Sequence, residues 1–360
     1  MYCKKCGYNK LDNDNKCPFC GYDEKQDNVF HFSTNDEVKD NKKVINEYQG
    51  PTYDDYEKND EEKMKGIRNP LGYLNLKTKF WHHLLYACGG YLFLQLFFQV
   101  FGGILIGIYK NKGIDFSCVV DGLESCPIEV QDTYTLISAI SQVVGELLVV
   151  GITALIFIKY LKLFFGEFKD KKTWKWVGLG FALMYGATLI YSLILQALKL
   201  NDTSTNQDSV NSIIFGSPLL GFLFVVVAAP LFEELIFRFG LFRSFTGKGK
   251  KIEIVGIVVT TLLFALIHIV PTFEEAFADP SAPNYELLKS DLLSLPSYLI
   301  GAFFLTFAYY KSKNLLTSMV MHMAWNAMSY FAIIANHFMP NGEEVSQVIT
   351  LISQFVTGLF

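Results

Sequence analysis

Long apolar stretches separated by short polar segments dominate the chain from about residue 84 onward. They lie at 84–109, 135–158, 176–198, 214–237, 252–271, 295–310 and 315–338. As helices, most of them are long enough to cross a hydrocarbon core of about 30 Å. The pattern therefore predicts seven transmembrane helices.

The last stretch, residues 345–360, has a different pattern. Apolar side chains from Val345 to Leu359 recur at helical spacing on one face, while Ser, Thr and Gln occupy the other. It is either an eighth span with its polar face turned inward or a helix lying along the membrane interface. The expected fold is thus an all-α polytopic membrane protein with seven to eight transmembrane helices.

Composition agrees with a membrane protein. Of the 360 residues, 51% are apolar and only 18% are charged, against about 25% charged residues in an average soluble protein. The charges are concentrated in the first quarter of the chain. This excludes a soluble enzyme and a disordered scaffold, and the net charge of −4 argues against a nucleic-acid partner.

Four cysteines form a regular pattern at the N-terminus. Two CxxCG motifs, separated by nine residues, contain Cys3, Cys6, Cys17 and Cys20. Four thiolates suit a tetrahedral structural zinc with no open position for catalysis. Two redox pairs are the alternative, but the expected βαβ context is lacking. The sequence predicts a zinc ribbon at 1–22, which is also a candidate contact for a protein partner.

The next segment, residues 23–75, is rich in Asp, Glu, Asn and Lys. It holds too few large apolar side chains to offset the entropy of ordering, so we expect a flexible polar linker. Residues 76–360 then form the membrane core.

Loop charges predict the orientation of this core. Lysines and arginines concentrate in the loops at 159–175, 239–251 and 311–313, whereas the intervening loops are acidic. Because basic loops stay on the cytoplasmic side, the N-terminus should be cytosolic, in agreement with reduced zinc thiolates. Cys118 and Cys126 then share an outer loop and could pair, while Cys88 is expected to be a buried thiol.

Ionisable residues within the spans fall into three groups. The fourth span contains Glu233, Glu234 and Arg238, the fifth His268, and the seventh His322 and Asn326. Such residues are costly in lipid and are functional candidates by default. Glu146 in the second span stands apart, and we expect it to be a buried hydrogen-bonding group without an assigned role.

Spacing gives these groups a geometry. Glu234 and Arg238, at i and i+4, can pair, while Glu233 is rotated by about 100° and should point elsewhere. His322 and Asn326 share a helix face. If the fourth helix continues to about Phe245, all three groups occupy similar depths. A carboxylate, two imidazoles and an amide would supply a base, a proton shuttle and oxyanion donors for hydrolysis.

The same residues match three motifs of a known family. Glu233-Glu234 with Arg238 fits EExxxR, Phe264 with His268 fits FxxxH, and His322 with Asn326 fits HxxxN. Over residues 135–340 the chain resembles the CPBP, or Abi, family of CAAX proteases and bacteriocin-processing enzymes.

The resemblance implies the all-α bundle of an intramembrane glutamate protease that needs no catalytic metal. In it, Glu233 and His268 would activate water, and His322 and Asn326 would stabilise the oxyanion. Glu234 and Arg238 would orient Glu233. The implied function is an endopeptidase that cleaves near the terminus of a membrane-associated peptide or protein in a bacterial cell membrane.

Three other interpretations remain open. The polar residues could serve only to hold the helices together. The histidines and glutamates could bind zinc, which would make the protein a membrane metalloprotease. A protein of the same fold could also be a non-catalytic immunity or regulatory protein, because fold does not fix function.

Overall fold

The computed structural model describes residues 80–158, 161–200, 204–278 and 282–338. The predicted zinc ribbon, the linker and the stretch at 345–360 lie outside these residues. Within the described ranges every regular element is helical, which confirms the all-α prediction for this part of the chain.

Each of the seven predicted spans corresponds to one long helix. The helices are α1 (Phe80–Asn111), α2 (Ile128–Ile156), α3 (Leu161–Gly166), α4 (Lys171–Leu198), α5 (Thr205–Gly216), α6 (Pro218–Phe245), α7 (Lys250–His268), α8 (Val270–Ala276), α9 (Tyr285–Ser312) and α10 (Leu315–Phe338). Short 3₁₀ turns lie at Ser117–Asp121, Leu123–Ser125 and Glu167–Lys169.

Six helices of the described residues are long and apolar enough to cross a membrane: α1, α2, α4, α6, α7 continued by α8, and α9. The chain is therefore a multi-pass membrane protein. The predicted seventh span, α10, is a helix of 24 residues but is not among the six. It carries His322 and Asn326, and most of its side chains are buried against other helices, so it does not need an apolar surface toward lipid.

Two elements differ from the sequence prediction. Helix α9 begins at Tyr285, ten residues before the predicted stretch, and continues through Pro296. The Tyr191 hydroxyl donates to the Leu293 carbonyl, near the point where the proline removes a backbone hydrogen bond within the helix.

Helix α5 was not predicted at all, because its sequence is polar. It begins where Ser204 Oγ accepts from the Gln207 amide at 3.3 Å, an N-cap.

Helix α6 occupies the centre of the bundle and is irregular. It contains two π-helical segments, Leu223–Ala228 and Glu234–Leu241, and ends in a 3₁₀ turn at Phe242–Phe245. Every residue from Glu234 to Leu241 is buried. Because α6 continues to Phe245, the condition for placing the three polar groups at similar depth is met.

A disulfide joins Cys118 and Cys126, with a Cα–Cα distance of 5.3 Å. This confirms the pairing that the loop prediction allowed. We call the end of the bundle at which α1 finishes and α2 begins the disulfide end. The bond suits an oxidising compartment and so agrees with the predicted outer side.

The expectation for Cys88 was wrong: this thiol is exposed on α1, which packs against the bundle through one face only.

Candidate active site

Glu234 and Arg238 form a completely buried ion pair. Arg238 Nη1 donates to Glu234 Oε1 at 2.8 Å, and both side chains are 0% exposed. Arg238 Nη2 also donates to the Ala302 carbonyl at 3.2 Å, and the guanidinium lies 4.7 Å from the centre of the Phe264 ring. The predicted i, i+4 pairing is confirmed, and it ties α6 to α7 and α9.

His322 lies between the two adjacent glutamates. Its Nδ1 is 3.0 Å from Glu234 Oε1 and its Nε2 is 3.7 Å from Glu233 Oε2. A carboxylate paired with arginine can only accept, so Nδ1 carries a hydrogen and donates it. The expectation that Glu233 points elsewhere was wrong in one respect: both carboxylates reach the same imidazole, at its opposite nitrogens.

The two glutamates differ in accessibility. The Glu233 side chain is 21% exposed, whereas that of Glu234 is sealed at 0%. Buried charges need nearby opposite charges, and Arg238 neutralises only one of the two carboxylates. An imidazolium at His322 would neutralise the other and would place an Nε2–H beside Glu233. Glu233 is therefore the carboxylate that a water or substrate can reach, whereas Glu234 only holds Arg238 and His322 in position.

His268 is held in one orientation at the end of α7. Its Nδ1 lies 2.7 Å from the Phe264 carbonyl, and since a carbonyl only accepts, the hydrogen is on Nδ1 and Nε2 keeps its lone pair. The imidazole lies between the rings of Phe264, at 4.7 Å between ring centres, and Tyr298, at 4.6 Å, and is tilted by 33° and 31° from their planes. In its neutral form His268 therefore presents an unprotonated nitrogen that can accept a proton or hold a water.

Asn326 is fixed by the irregular part of α6. Its Nδ2 donates to the Val225 carbonyl at 2.8 Å, and Val225 lies in the first π-helical segment. Transitions between helix types leave backbone carbonyls open to side chains. The amide has two N–H donors, so one remains for a substrate, and Oδ1 has no hydrogen-bond partner among the described residues.

A cavity of about 40 Å³ joins these groups. Its lining includes His268, His322 and Asn326, together with Ser297, Tyr298 and Trp325. A water needs about 10–15 Å³, so the cavity can hold a water beside the imidazoles. Glu233 is not part of this lining, but its Oε2 lies 3.7 Å from Nε2 of His322, which is. The structure thus brings together the candidate residues of all three motifs.

Two aromatic residues of this site received no role from the sequence. Tyr298 contacts His268, but 15% of the chain is aromatic, so a single tyrosine does not stand out. Phe264, known from the sequence only as a motif letter, contacts Arg238 and His268 and also lies 6.1 Å from His322. The two rings pack against Arg238 and His268 and so restrict the movement of these side chains.

Glu146 behaves as its isolation in the sequence predicts. It is 2% exposed, and Gln142 Nε2 donates to its Oε1 at 3.1 Å. The predicted hydrogen bond is present.

Among the residues that the structure describes, no three His, Cys, Asp or Glu side chains are grouped so as to hold a metal ion.

The comparisons with known proteins point to one family. Residues 215–328 match the sequence profile of the type II CAAX prenyl endopeptidase Rce1-like family. The UPF0177 protein YvdC of Lactococcus lactis subsp. lactis is 27% identical over 161 residues, which cover 43% of this chain and 53% of the relative. The membrane-embedded CAAX protease MroQ of Staphylococcus aureus is 28% identical over 167 residues, which cover 44% and 59%.

A third relative is matched over more of its length. The UPF0177 protein YxdF of Lactococcus lactis subsp. lactis is 26% identical over 175 residues, covering 48% of this chain and 84% of the relative. The chain thus spans only a little over half the length of the first two relatives. No solved structure matches it. The segment that resembles the Rce1-like CAAX prenyl endopeptidase family contains α6, α7 and more than half of α10, and these helices carry all seven motif residues.

Proposed function

We propose that this protein is an intramembrane endopeptidase that uses a glutamate and a histidine to activate water. This proposal rests on the difference between the adjacent carboxylates: Glu233 is accessible, while Glu234 is fully buried in an ion pair with Arg238. Relatives described as CAAX endopeptidases support the reaction class.

In the proposed reaction a water lies between Glu233 and His268 Nε2. Glu233 takes its proton as the oxygen attacks the scissile carbonyl. The N–H groups of His322 Nε2 and Asn326 Nδ2 then stabilise the oxyanion. When the carbon–nitrogen bond breaks, the proton held by Glu233 passes to the leaving amine. Glu234 and Arg238 keep His322 oriented throughout.

The proposed substrate is a membrane-associated peptide or protein, cut near its terminus. The site lies among helices that cross the bilayer, so a substrate must itself lie in or on the membrane to reach it. We further propose a bacterial cell membrane as the location, with the N-terminus in the cytosol and the disulfide end outside.

Comparative proteomics tests this function. Membrane peptides are quantified in cells that carry the wild-type chain, Glu233→Gln, no copy of the chain or, as a control, Glu253→Gln. Glu253 lies near the start of α7, where its Oε1 accepts from the Gly247 amide at 3.1 Å, and glutamine keeps that acceptor. We expect peptides that appear with the wild type and with Glu253→Gln but are lost with Glu233→Gln. If the wild type gives no peptides beyond those of cells without the chain, a non-catalytic immunity or regulatory role replaces the protease.

We also propose that the four N-terminal cysteines bind one structural zinc. Elemental analysis of the purified chain should find about one zinc per molecule, and the Cys17→Ser, Cys20→Ser variant should lose it, because a four-thiolate site cannot hold the ion with two ligands removed. Full retention of zinc by that variant would move the metal to the membrane site. It would then favour the metalloprotease, which a chelator should inactivate in the same variant.

A further inference from the structure

The disulfide end contains a second, much larger cavity, which we call the outer cleft. Its volume is about 1510 Å³, compared with about 40 Å³ for the cavity at the candidate active site. It is lined by the loop before α2, the first turns of α2, and parts of α5, α6, α8 and α9. This volume is large enough for several residues of an extended peptide.

The charged side chains that line the outer cleft all have the same sign. They are Asp132 on α2, Asp208 on α5 and Glu275 on α8. No lysine or arginine is among the described residues that line it. Clefts lined by charges of one sign concentrate ligands of the opposite sign, so this cleft favours a cationic ligand over an anionic one.

A thin layer of side chains separates the outer cleft from the active-site cavity. Thr205 and Asp208 of α5 face the cleft. Next to them, Ser204 Oγ lies 2.9 Å from the Tyr298 hydroxyl, and Asn206 Nδ2 donates to the same hydroxyl at 3.4 Å. Tyr298 in turn lies against the His268 ring and lines the smaller cavity. The start of α5 therefore lines the outer cleft and contacts the smaller cavity through Tyr298.

We propose that the outer cleft binds a polar, positively charged segment of the peptide substrate, which reaches the active site from the disulfide end. This rests on the proposed function, and it adds a membrane face and a substrate chemistry. The apolar part of the substrate would remain in the bilayer while its lysines or arginines lie beside Asp132, Asp208 and Glu275. The start of α5 and Tyr298 would then lie next to the bond to be cut.

A binding experiment tests the charge preference without requiring hydrolysis. The probes are two palmitoylated fluorescent peptides that differ only in carrying three lysines or three glutamates, and binding to the purified full chain in detergent is followed by fluorescence anisotropy. Since each solvated charge pair contributes modestly, we expect the lysine peptide to bind about tenfold more tightly. The palmitoyl chain is common to both probes, so it cannot produce the difference.

Matched variants locate the preference. Replacing Asp132, Asp208 and Glu275 together by the corresponding amides should remove the advantage of the lysine peptide. The same change at Glu129 and Glu274, exposed neighbours that do not line the cleft, should leave it intact. Equal binding of the two peptides by the wild type, or an equal loss in both variants, would overturn the proposal even if the protein proves to be a protease.

Thiol labelling tests the membrane face. In a Cys88→Ala background, Ser212→Cys in the outer cleft should react with a membrane-impermeant thiol reagent applied to intact cells. Lys171 is the first residue of α4 and lies at the end of the bundle opposite the disulfide. Lys171→Cys should therefore react only after the cells are opened. If Ser212→Cys is labelled only in opened cells, the cleft faces the cytosol and the proposed route from outside is wrong.

Discussion

Glu233→Gln should lower turnover by about 10²–10⁴-fold, the usual contribution of a general base. Glutamine keeps the size and shape of the side chain, so the packing around His322 should persist while the proton acceptor is lost. The measurement is the initial rate of cleavage, by purified enzyme, of a peptide that appears in cells with the wild-type chain and not in cells without the chain. Glu253→Gln is the control and should stay within a few-fold of the wild-type rate.

The alternatives give distinct outcomes in this assay. A wild-type rate for Glu233→Gln would reduce Glu233 to a packing or pairing residue and would make Glu234 the next candidate base. A comparable loss in Glu253→Gln would show that replacing a glutamate remote from His322 is enough to lower the rate. The effect could then no longer be attributed to proton transfer.

Arg238→Leu should destabilise the protein by about 3–5 kcal/mol, because it leaves the buried Glu234 carboxylate without its arginine and with only the contact from His322. The pair is 0% exposed on both sides, so solvent cannot compensate. The free energy of unfolding in mixed detergent micelles measures this cost. Lys289→Met is a matched control: it breaks the exposed Lys289–Glu286 pair at 3.5 Å and should cost well under 1 kcal/mol.

The double variant Glu234→Leu, Arg238→Leu separates the charge effect from packing. It removes both charges, so it should be less destabilised than Arg238→Leu alone. If the costs of the two single changes simply add, packing explains the loss and the charge argument fails.

The sequence alone predicted the features that depend on the pattern of apolar residues and on the spacing of the motif residues. Seven apolar stretches marked seven helices, and the i, i+4 spacing of Glu234 and Arg238 led to a pair that the structure contains. The shared depth of Glu233, His268 and His322 followed from the rise of a helix, once α6 was allowed to continue to Phe245.

Features that depend on tertiary contacts could not be read in this way. Helix α5 is polar, and it packs at the disulfide end through contacts with residues far along the chain, such as Ser204 with Tyr298. The position of His322 between Glu233 and Glu234 depends on how α10 faces α6, which helical periodicity does not determine. The site was therefore predictable as a set of residues but not as a network of contacts.

The two π-helical segments make the length of α6 as important as its composition. A π turn holds more residues than an α turn, so each segment acts as a local insertion into an otherwise α-helical rod. Deleting one residue within Leu223–Ala228 would let this part of α6 return to regular α-helix, with the flanking turns facing the same way as before. The Val225 carbonyl would then join the hydrogen-bond ladder of the helix, and Asn326 would lose the acceptor that orients it. A deletion between Glu234 and Arg238 would instead change their spacing from i, i+4 to i, i+3 and would disturb the buried ion pair. Loss of a single residue from either segment would thus alter the active site while leaving the rest of the helix nearly unchanged.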